Sequence, residues 1–352
     1  MSKLSRRDFL KLGGLALGSL AFSRFAPPLE IPYNGFDDAS LLRVAAPSVS
    51  VYKEPSDESV ITGTWYRDEL VHIYEEVKGL SGEPKHNPIW YRVWGGYMHR
   101  ARLQKVKVLF NKPMASLAAG VRQLTEVTVP YTQAYQKSKT YGWSPNLRLY
   151  YESVHWVDAI EEGPDGTPWY RVFDASGVYY VSSLHIRPIP HEELGPISPE
   201  IPLSEKRIEV NLTMQTVAAF EYDQPVFETK ISSGLASPRK PGQISTVTPN
   251  GDFRIFEKKP SVHMGNGNLV ADVDDYELPG VSWVLYFTEF GHAFHGTHWH
   301  DNFGTPMSHG CINMRSPEAR WLFRWALPAH TSEELATNHV FRNYGTEVRI
   351  FY

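Results

Sequence analysis

The sequence predicts a mostly-β protein whose last domain carries a single flanking helix. Short runs of alternating apolar and polar residues, such as 49–52 (VSVY) and 207–212 (RIEVNL), lie between turn residues along most of the chain. The segment 316–327 (SPEARWLFRWAL) departs from that pattern. It begins with Ser316 followed by Pro317, which predicts a helix with Ser316 as the N-cap and proline in the first helical position.

The first half of the chain contains an internal repeat. The run 90–94 (WYRVW) returns 79 residues later as 169–173 (WYRVF), and a proline stands one or two residues before each copy. Each copy resembles the bacterial SH3-like module, a small β-barrel often found on secreted wall enzymes. That resemblance implies two SH3-like barrels, at 39–110 and 121–190. These barrels would bind the wall or position substrate; the simpler interpretation is that Trp90 and Trp169 are core aromatics.

The N-terminus predicts export. The heptapeptide 5–11 (SRRDFLK) resembles the twin-arginine consensus, and a glycine-rich apolar run follows at 12–22. That run is shorter than the ~20 residues that span a bilayer as a helix. We therefore expect residues 1–23 to be a twin-arginine signal peptide, either cleaved or kept as an anchor. The expected location is extracytoplasmic and associated with the cell wall.

Charge and composition limit the class of protein to which this chain can belong. Without residues 1–23 the chain keeps 31 basic and 38 acidic residues, and this acidic balance argues against a nucleic-acid partner. The single cysteine cannot form an internal disulfide. The remaining ~330 residues suggest two or three domains. A proline-rich linker is expected at 191–202, ahead of a catalytic domain at 203–352.

The strongest functional signal surrounds Cys311, the only cysteine of the chain. A thiol attacks a carbonyl carbon as the thiolate, so a thiol enzyme needs a base or a cation to act on a group whose pKa starts near ~8.5. His295 and His309 are the candidates. Gly310 lets the backbone approach a bound carbonyl closely, and the amide N–H of Gly310 or Cys311 is a candidate oxyanion donor.

These residues resemble the signature of the L,D-transpeptidases of bacterial peptidoglycan. That family has a His-Gly pair at a strand end and, further along, Ser-His-Gly-Cys followed by an aliphatic residue and Asn or Arg. His295-Gly296 and the run 308–313 (SHGCIN) fit this pattern position by position. The run 248–255 (TPNGDFRI) resembles a second signature of the family, in which Gly251 is expected at a positive φ. The resemblance implies an L,D-transpeptidase-like β-sandwich catalytic domain.

The resemblance also implies ping-pong acyl transfer through a cysteine thioester. The donor is a peptidoglycan stem peptide that loses its terminal D-residue, and the acceptor is the side-chain amine of a second stem. No cofactor, metal or protein partner is implied, and carbapenems are the implied inhibitors. The predicted catalytic residues are Cys311, His295, His309, Ser308 and Gly310, and the predicted substrate-binding residues are Asn313, Tyr286, Gly296 and Trp299.

Other interpretations stay open from the residues alone. An L,D-carboxypeptidase-type hydrolase would use the same thiol with water as acceptor, and a non-catalytic wall-binding protein would have an inactive catalytic domain. A lone cysteine is also often a small buried hydrophobe. Three nearby histidines can form a zinc shell, but the string 298–301 (HWHD) lacks the second histidine of a metallo-hydrolase motif.

Overall fold

A computed structural model describes most of the chain. The described residues are 40–82, 84–236, 245–265, 277–331, 334–335, 341–342 and 344–352. The predicted signal peptide at 1–23 lies outside them. Within the described ranges the chain is mostly β, and no helix there is long and apolar enough to cross a membrane.

The first eight strands form two small sheets. The sheet orders are β4-β1-β8 and β3-β2-β7-β6-β5, with the strands β1 (Leu41–Val44), β2 (Ser48–Tyr52), β3 (Ile61–Tyr66), β4 (Leu70–His72), β5 (Glu75–Lys78), β6 (Ile89–Val93), β7 (Gly96–His99) and β8 (Leu103–Val106). We call this part the first module, residues 40–106. Side chains from both of its sheets share one apolar cluster.

The next seven strands form a single sheet in the order β11-β10-β14-β13-β12-β9-β15. They are β9 (Gln123–Val127), β10 (Tyr131–Ser138), β11 (Gly142–Tyr150), β12 (Val154–Glu162), β13 (Pro168–Asp174), β14 (Gly177–Ser182) and β15 (Ile186–Pro188). We call this part the second module, residues 123–188. It encloses an apolar cluster of its own.

The internal repeat is present in the structure as a repeated strand arrangement. Trp90 packs edge-on against Tyr52, and Trp169 packs edge-on against Tyr135. A 3₁₀ turn at 100–102 or 183–185 then precedes the last strand of each module. Both tryptophans are almost fully buried, so their role is in the core. That each module is an SH3-like barrel stays a prediction.

The remaining strands form the two facing sheets of a sandwich, with one helix. The orders are β18-β17-β16-β25-β19 and β23-β22-β21-β20-β24. The elements are β16 (Lys206–Asn211), β17 (Thr216–Glu221), β18 (Gln224–Lys230), β19 (Gly251–Arg254), β20 (Glu257–Gly265), β21 (Glu277–Tyr286), β22 (Ala293–Gly296), β23 (Ile312–Met314), α1 (Ser316–Trp325), β24 (Phe341–Arg342) and β25 (Glu347–Phe351). Apolar side chains from both sheets and from α1 pack into one core.

Two local predictions in this region have different outcomes. Gly251 does take a positive φ, +135°, as expected. The predicted N-cap is wrong by one residue: Arg315 is the cap, and α1 begins at Ser316. Ser316 is buried, and its hydroxyl lies against Gly296. Arginine has no side-chain acceptor, so with Arg315 in the cap position no side chain caps the first turn.

The segment 191–202, predicted to be a proline-rich linker, packs against the parts of the chain that it joins. Leu194 is buried in the core of the sandwich, together with Leu124 and Trp156 of the second module. Arg187, at the end of the second module, forms ion pairs with Glu193 at 2.8 Å and with Glu126. Apolar side chains within a proline-rich segment gain free energy by burial, which fixes the segment on the domains it joins. The second module therefore shares a core with the sandwich.

The second module packs closely against the sandwich. Two glycine substitutions should therefore lower the free energy of unfolding by different amounts. Gly280 on β21 (φ +70°) faces the second module, and an added Cβ would lie 2.2 Å from His155 Cε1. Gly166 has a similar φ of +75° with no heavy atom within 4 Å of the Cβ position. Both alanine variants are strained by about 1–2 kcal/mol. Gly280→Ala should lose a further ~1–3 kcal/mol through overpacking.

Urea unfolding of the two variants, followed by circular dichroism, measures this difference. A loss of stability in Gly280→Ala no larger than that in Gly166→Ala would show that the second module does not press against β21.

Candidate active site

The pairing of three strands brings the predicted site residues to one face of a sheet. Tyr286 on β21 pairs with Ala293 on β22, and β22 runs parallel to β23 with His295 opposite Asn313. The alternate residues of β22 and β23 point into the core. Because side chains alternate along a strand, Ala293 and His295 lie on the opposite face, where Cys311 packs against Ala293 with Tyr286 nearby. Cys311, His295 and Tyr286 thus share one surface.

The loop that carries Cys311 is held by short hydrogen bonds. Ser308 Oγ accepts from the Gly310 amide at 3.2 Å and donates to the Cys311 carbonyl at 2.5 Å. Thr248 Oγ1 donates to the Gly310 carbonyl at 2.9 Å and accepts from Gly234. Ser308 therefore shapes the loop. The Gly310 amide is already engaged, so of the two predicted oxyanion donors in the backbone only Cys311 N–H is retained here.

Gly310 has no room for a side chain. Its φ is +113°, and an added Cβ would lie 2.8 Å from His292 Cδ2. His292 is held in turn by Thr288 Oγ1, 2.8 Å from Nδ1. His292 and Thr248 contact this loop from other segments, and sequence reasoning missed both contacts. Thr248 lies in the second signature, which offered a signal, whereas a histidine three positions before His295 offered none.

The Cys311 thiol is partly exposed but lies in a weakly polar environment. Its Sγ is 3.6 Å from the Gly291 carbonyl oxygen, to which the S–H donates. Burial raises the Cys311 pKa to about 11, an effect that a backbone hydrogen bond at Ala293 partly opposes. A thiol with that pKa is protonated at neutral pH. Cys311 therefore needs a base when it reacts.

His295 is buried and neutral. Burial lowers its pKa to about 4, with the hydrogen bond to Gly296 acting in the opposite direction. Nδ1 lies 3.0 Å from the Gly296 carbonyl oxygen. Because a carbonyl only accepts, Nδ1 carries the proton and Nε2 keeps a free lone pair. The Gly296 carbonyl therefore fixes the tautomer of His295.

The predicted role of Gly296 as a substrate contact is corrected by its burial. An added Cβ would lie 2.3 Å from Ser282 Oγ and 2.9 Å from Ser316 Oγ. Its neighbours are therefore β21 and α1, on the side away from solvent. Glycine at this position lets the β22 backbone lie close to the helix, and its carbonyl serves His295.

Tyr286 remains a hydroxyl donor over the working pH range. Its pKa is raised to about 12, first by burial and then by the nearby Cys311 and Glu257 charges. The ammonium of Lys259 lies 5.3 Å from the centre of its ring. A phenol that keeps its proton can donate a hydrogen bond to an oxygen that becomes negative.

Asn313 is also buried, which corrects its predicted contact with substrate. Its carboxamide lies 2.9 Å from His300 Nε2, and its backbone pairs with Ser232 through N–H and C=O. His300 Nδ1 accepts from the Asn302 amide at 3.2 Å. Asn313 therefore ties the strand after Cys311 to the connection that follows His295.

The remaining residues near the site differ in how much of each is exposed to solvent. Trp299 is partly exposed, packs in the same small cluster as Cys311, and has its ring 5.7 Å from that of His295. His309 is exposed on the outer side of the loop. His298 stacks on Tyr150 of the second module. Among the described residues no group of three His, Cys, Asp or Glu could hold a metal ion.

Part of this chain is similar to known proteins. Residues 205–350 match the family model YkuD, described as L,D-transpeptidase catalytic domain. YciB of Bacillus subtilis (strain 168), a protein named for L,D-transpeptidase activity, is 24% identical over 143 residues, which cover 38% of this chain. The chain spans 66% of the length of YciB.

Two solved structures of L,D-transpeptidases are also similar. One, from Mycobacterium smegmatis, is 14% identical with a TM-score of 0.32, covering 75% of this chain and 90% of that chain. The other, the Enterococcus faecium catalytic domain acylated by ertapenem, is 25% identical with a TM-score of 0.27, covering 42% and 97%. TM-scores this low support no conclusion about the overall fold.

The YkuD family model and YciB are both named for L,D-transpeptidases. The matched residues include both predicted signatures, at 248–255 and at 295–313. Residues 205–350 are therefore similar, along their whole length, to the L,D-transpeptidase catalytic domain that the YkuD family model describes.

Proposed function

We propose that this protein is a peptidoglycan L,D-transpeptidase that joins two stem peptides through a thioester on Cys311. The observation that carries the proposal is the shared sheet face on which Cys311 lies with Tyr286 and the neutral imidazole of His295. Thiol, base and hydroxyl donor are the three groups that acyl transfer requires. The family match supports the choice of a stem peptide as substrate.

The first step acylates the thiol. Cys311 Sγ bonds to the carbonyl carbon before the terminal D-residue, and the thiol proton passes to His295 Nε2. Tyr286 O–H and Cys311 N–H donate to the oxygen that becomes negative. The C–N bond then breaks, the imidazolium protonates the leaving amine, and the D-residue departs. A thioester and a neutral imidazole remain.

The second step transfers the acyl group. The side-chain amine of a second stem attacks the thioester carbon, and its proton passes to His295 Nε2. The C–S bond breaks, and the sulfur takes the proton back from the imidazolium. The products are a cross-linked dimer and the resting thiol. Trp299, partly exposed beside His295, offers the substrate an apolar surface.

The location and the inhibitors belong to the same proposal. A twin-arginine signal at 1–23 would deliver the enzyme to the wall that contains its substrate. A carbapenem carries a strained amide carbonyl that the Cys311 thiolate can attack, so we propose that carbapenems acylate this site.

The test of function is the conversion of purified muropeptides, analysed by mass spectrometry. We expect the wild-type protein to produce dimers and Cys311→Ala to produce none, because this chain has no second thiol. Wild-type protein blocked by one mass equivalent of a carbapenem is the matched control for a folded but inactive site. Trimmed monomers without dimers would identify a hydrolase, and unchanged substrate would contradict enzymatic activity.

A second prediction concerns the protonation state of the resting site. Burial raises the Cys311 pKa to about 11 and lowers the His295 pKa to about 4, so both groups are neutral at pH 7. The chain has one cysteine, so its infrared S–H stretching band reports Cys311 alone. We expect the band at pH 7 and its loss as the pH rises toward about 11. Cys311→Ala should lack it.

The alternative state is a thiolate–imidazolium pair. That pair would leave no S–H band at pH 7 and would contradict a neutral resting site.

A further inference from the structure

The segment that follows the His295 strand is enclosed by both N-terminal modules. It comprises residues 297–302 and connects β22 to the loop of Cys311. His298 and His300 are buried within it. The mechanism proposed above gives these buried residues no chemical step, although they begin three positions after the base.

The central contact of this segment comes from Arg43 on β1, whose side chain is 2% exposed. Arg43 Nη2 donates to the His298 carbonyl oxygen at 2.8 Å, and Nη1 donates to Asp68 Oδ1 at 2.9 Å. Its Nε and Nη2 also donate to Gln104 Oε1, at 3.1 and 2.8 Å. A buried guanidinium with this many fixed partners is held in one position.

The second module contributes an aromatic surface to the same contact. The Arg43 guanidinium lies 4.2 Å above the Tyr150 ring, and that ring stacks on His298 with centroids 5.4 Å apart. Arg148 pairs with Asp68 Oδ2 at 2.5 Å, so Asp68 bridges the two modules. His298 is therefore fixed through both its carbonyl and its ring.

The end of the segment is held by the first module and, within the sandwich, by Ser232 and Arg315. The Asp301 amide donates to the Ala101 carbonyl at 2.9 Å, and the Asp301 carboxylate lies 3.4 Å from Arg100 Nε. Asn87 Nδ2 donates to the Asp301 carbonyl at 3.1 Å and to Asn302 Oδ1 at 2.9 Å. Three residues of the segment, His298, Asp301 and Asn302, are thus held by contacts from the N-terminal modules.

We propose that Arg43 is a positioning residue for the catalytic base. The proposal rests on the proposed function, because it takes His295 as the base of Cys311. Arg43 fixes His298, whose ring packs edge-on against Trp299 at 5.0 Å, and Trp299 in turn contacts the His295 ring at 5.7 Å. A small misplacement of a catalytic group lowers a rate strongly, so this contact matters even though Arg43 touches no reacting atom.

The first module therefore has a defined role at the active site: it orients the imidazole through residues 297–302.

The test is the rate of Cys311 alkylation by iodoacetamide at pH 7.5, measured by intact mass on the full chain. Removing the base by His295→Ala should slow alkylation about 10²-fold. Arg43→Met should slow it about tenfold, because the base is present but misplaced. Arg43→Lys keeps the charge and should recover part of the rate. Arg92→Met is the matched control, since it removes a half-exposed arginine of the same module that pairs with Glu75, and should change the rate less than twofold.

A double-mutant cycle separates positioning from a general loss of structure. If Arg43 acts through His295, Arg43→Met should have no further effect in the His295→Ala background. An unchanged rate in Arg43→Met, or equal slowing in both backgrounds, would overturn the proposal. If Arg43→Met does not fold, Arg43→Lys is judged by the same two criteria. The readout needs no peptidoglycan, so a failure of dimer formation in the muropeptide assay would leave this result independent.

Discussion

The active-site geometry depends on the parallel pairing of β22 with β23. Three paired positions of these short strands set which residues face the core and which face the site. A shift of one residue would turn His295 into the core and bring Phe294 to the surface, because side chains alternate along a strand. Phe294, Ile312 and Met314 are all buried in the sandwich core, so apolar burial fixes the register. Core packing therefore places His295 and Cys311 on the same face of the sheet, without any direct bond between them.

Folding this site costs free energy, because it buries polar groups that water would otherwise solvate. His295, His298 and His300 are all buried, and burial lowers the pKa of each. His295 and His300 form local hydrogen bonds through their rings, and the His298 ring stacks on Tyr150. The two N-terminal modules supply part of that enclosure, and the second shares an apolar core with the sandwich. The environment of the active-site histidines therefore depends on how the N-terminal modules pack against the sandwich.

The sequence predicted most of the local structure and part of the site. Alternation along 207–212 anticipated the half-buried strand β16, and the signature around Cys311 anticipated the match of residues 205–350 to the L,D-transpeptidase family model. Sequence reasoning failed where a residue's environment comes from distant segments. A proline-rich composition gave no sign that Leu194 is buried, and the motif pattern did not separate exposed residues from Asn313, which is enclosed. Arg43 lies 255 positions from His298, and no local pattern encodes that contact.

The central claim is that a neutral His295, with its proton on Nδ1, is the base for Cys311. Nitrogen-15 NMR of histidine-labelled protein at pH 7, with His295→Ala to assign the signal, tests it most directly. The structure predicts one protonated and one unprotonated ring nitrogen for His295, with the proton on Nδ1 facing the Gly296 carbonyl. The signals should stay unchanged until the pH falls toward about 4. Two protonated nitrogens at pH 7, or a proton on Nε2, would contradict the account.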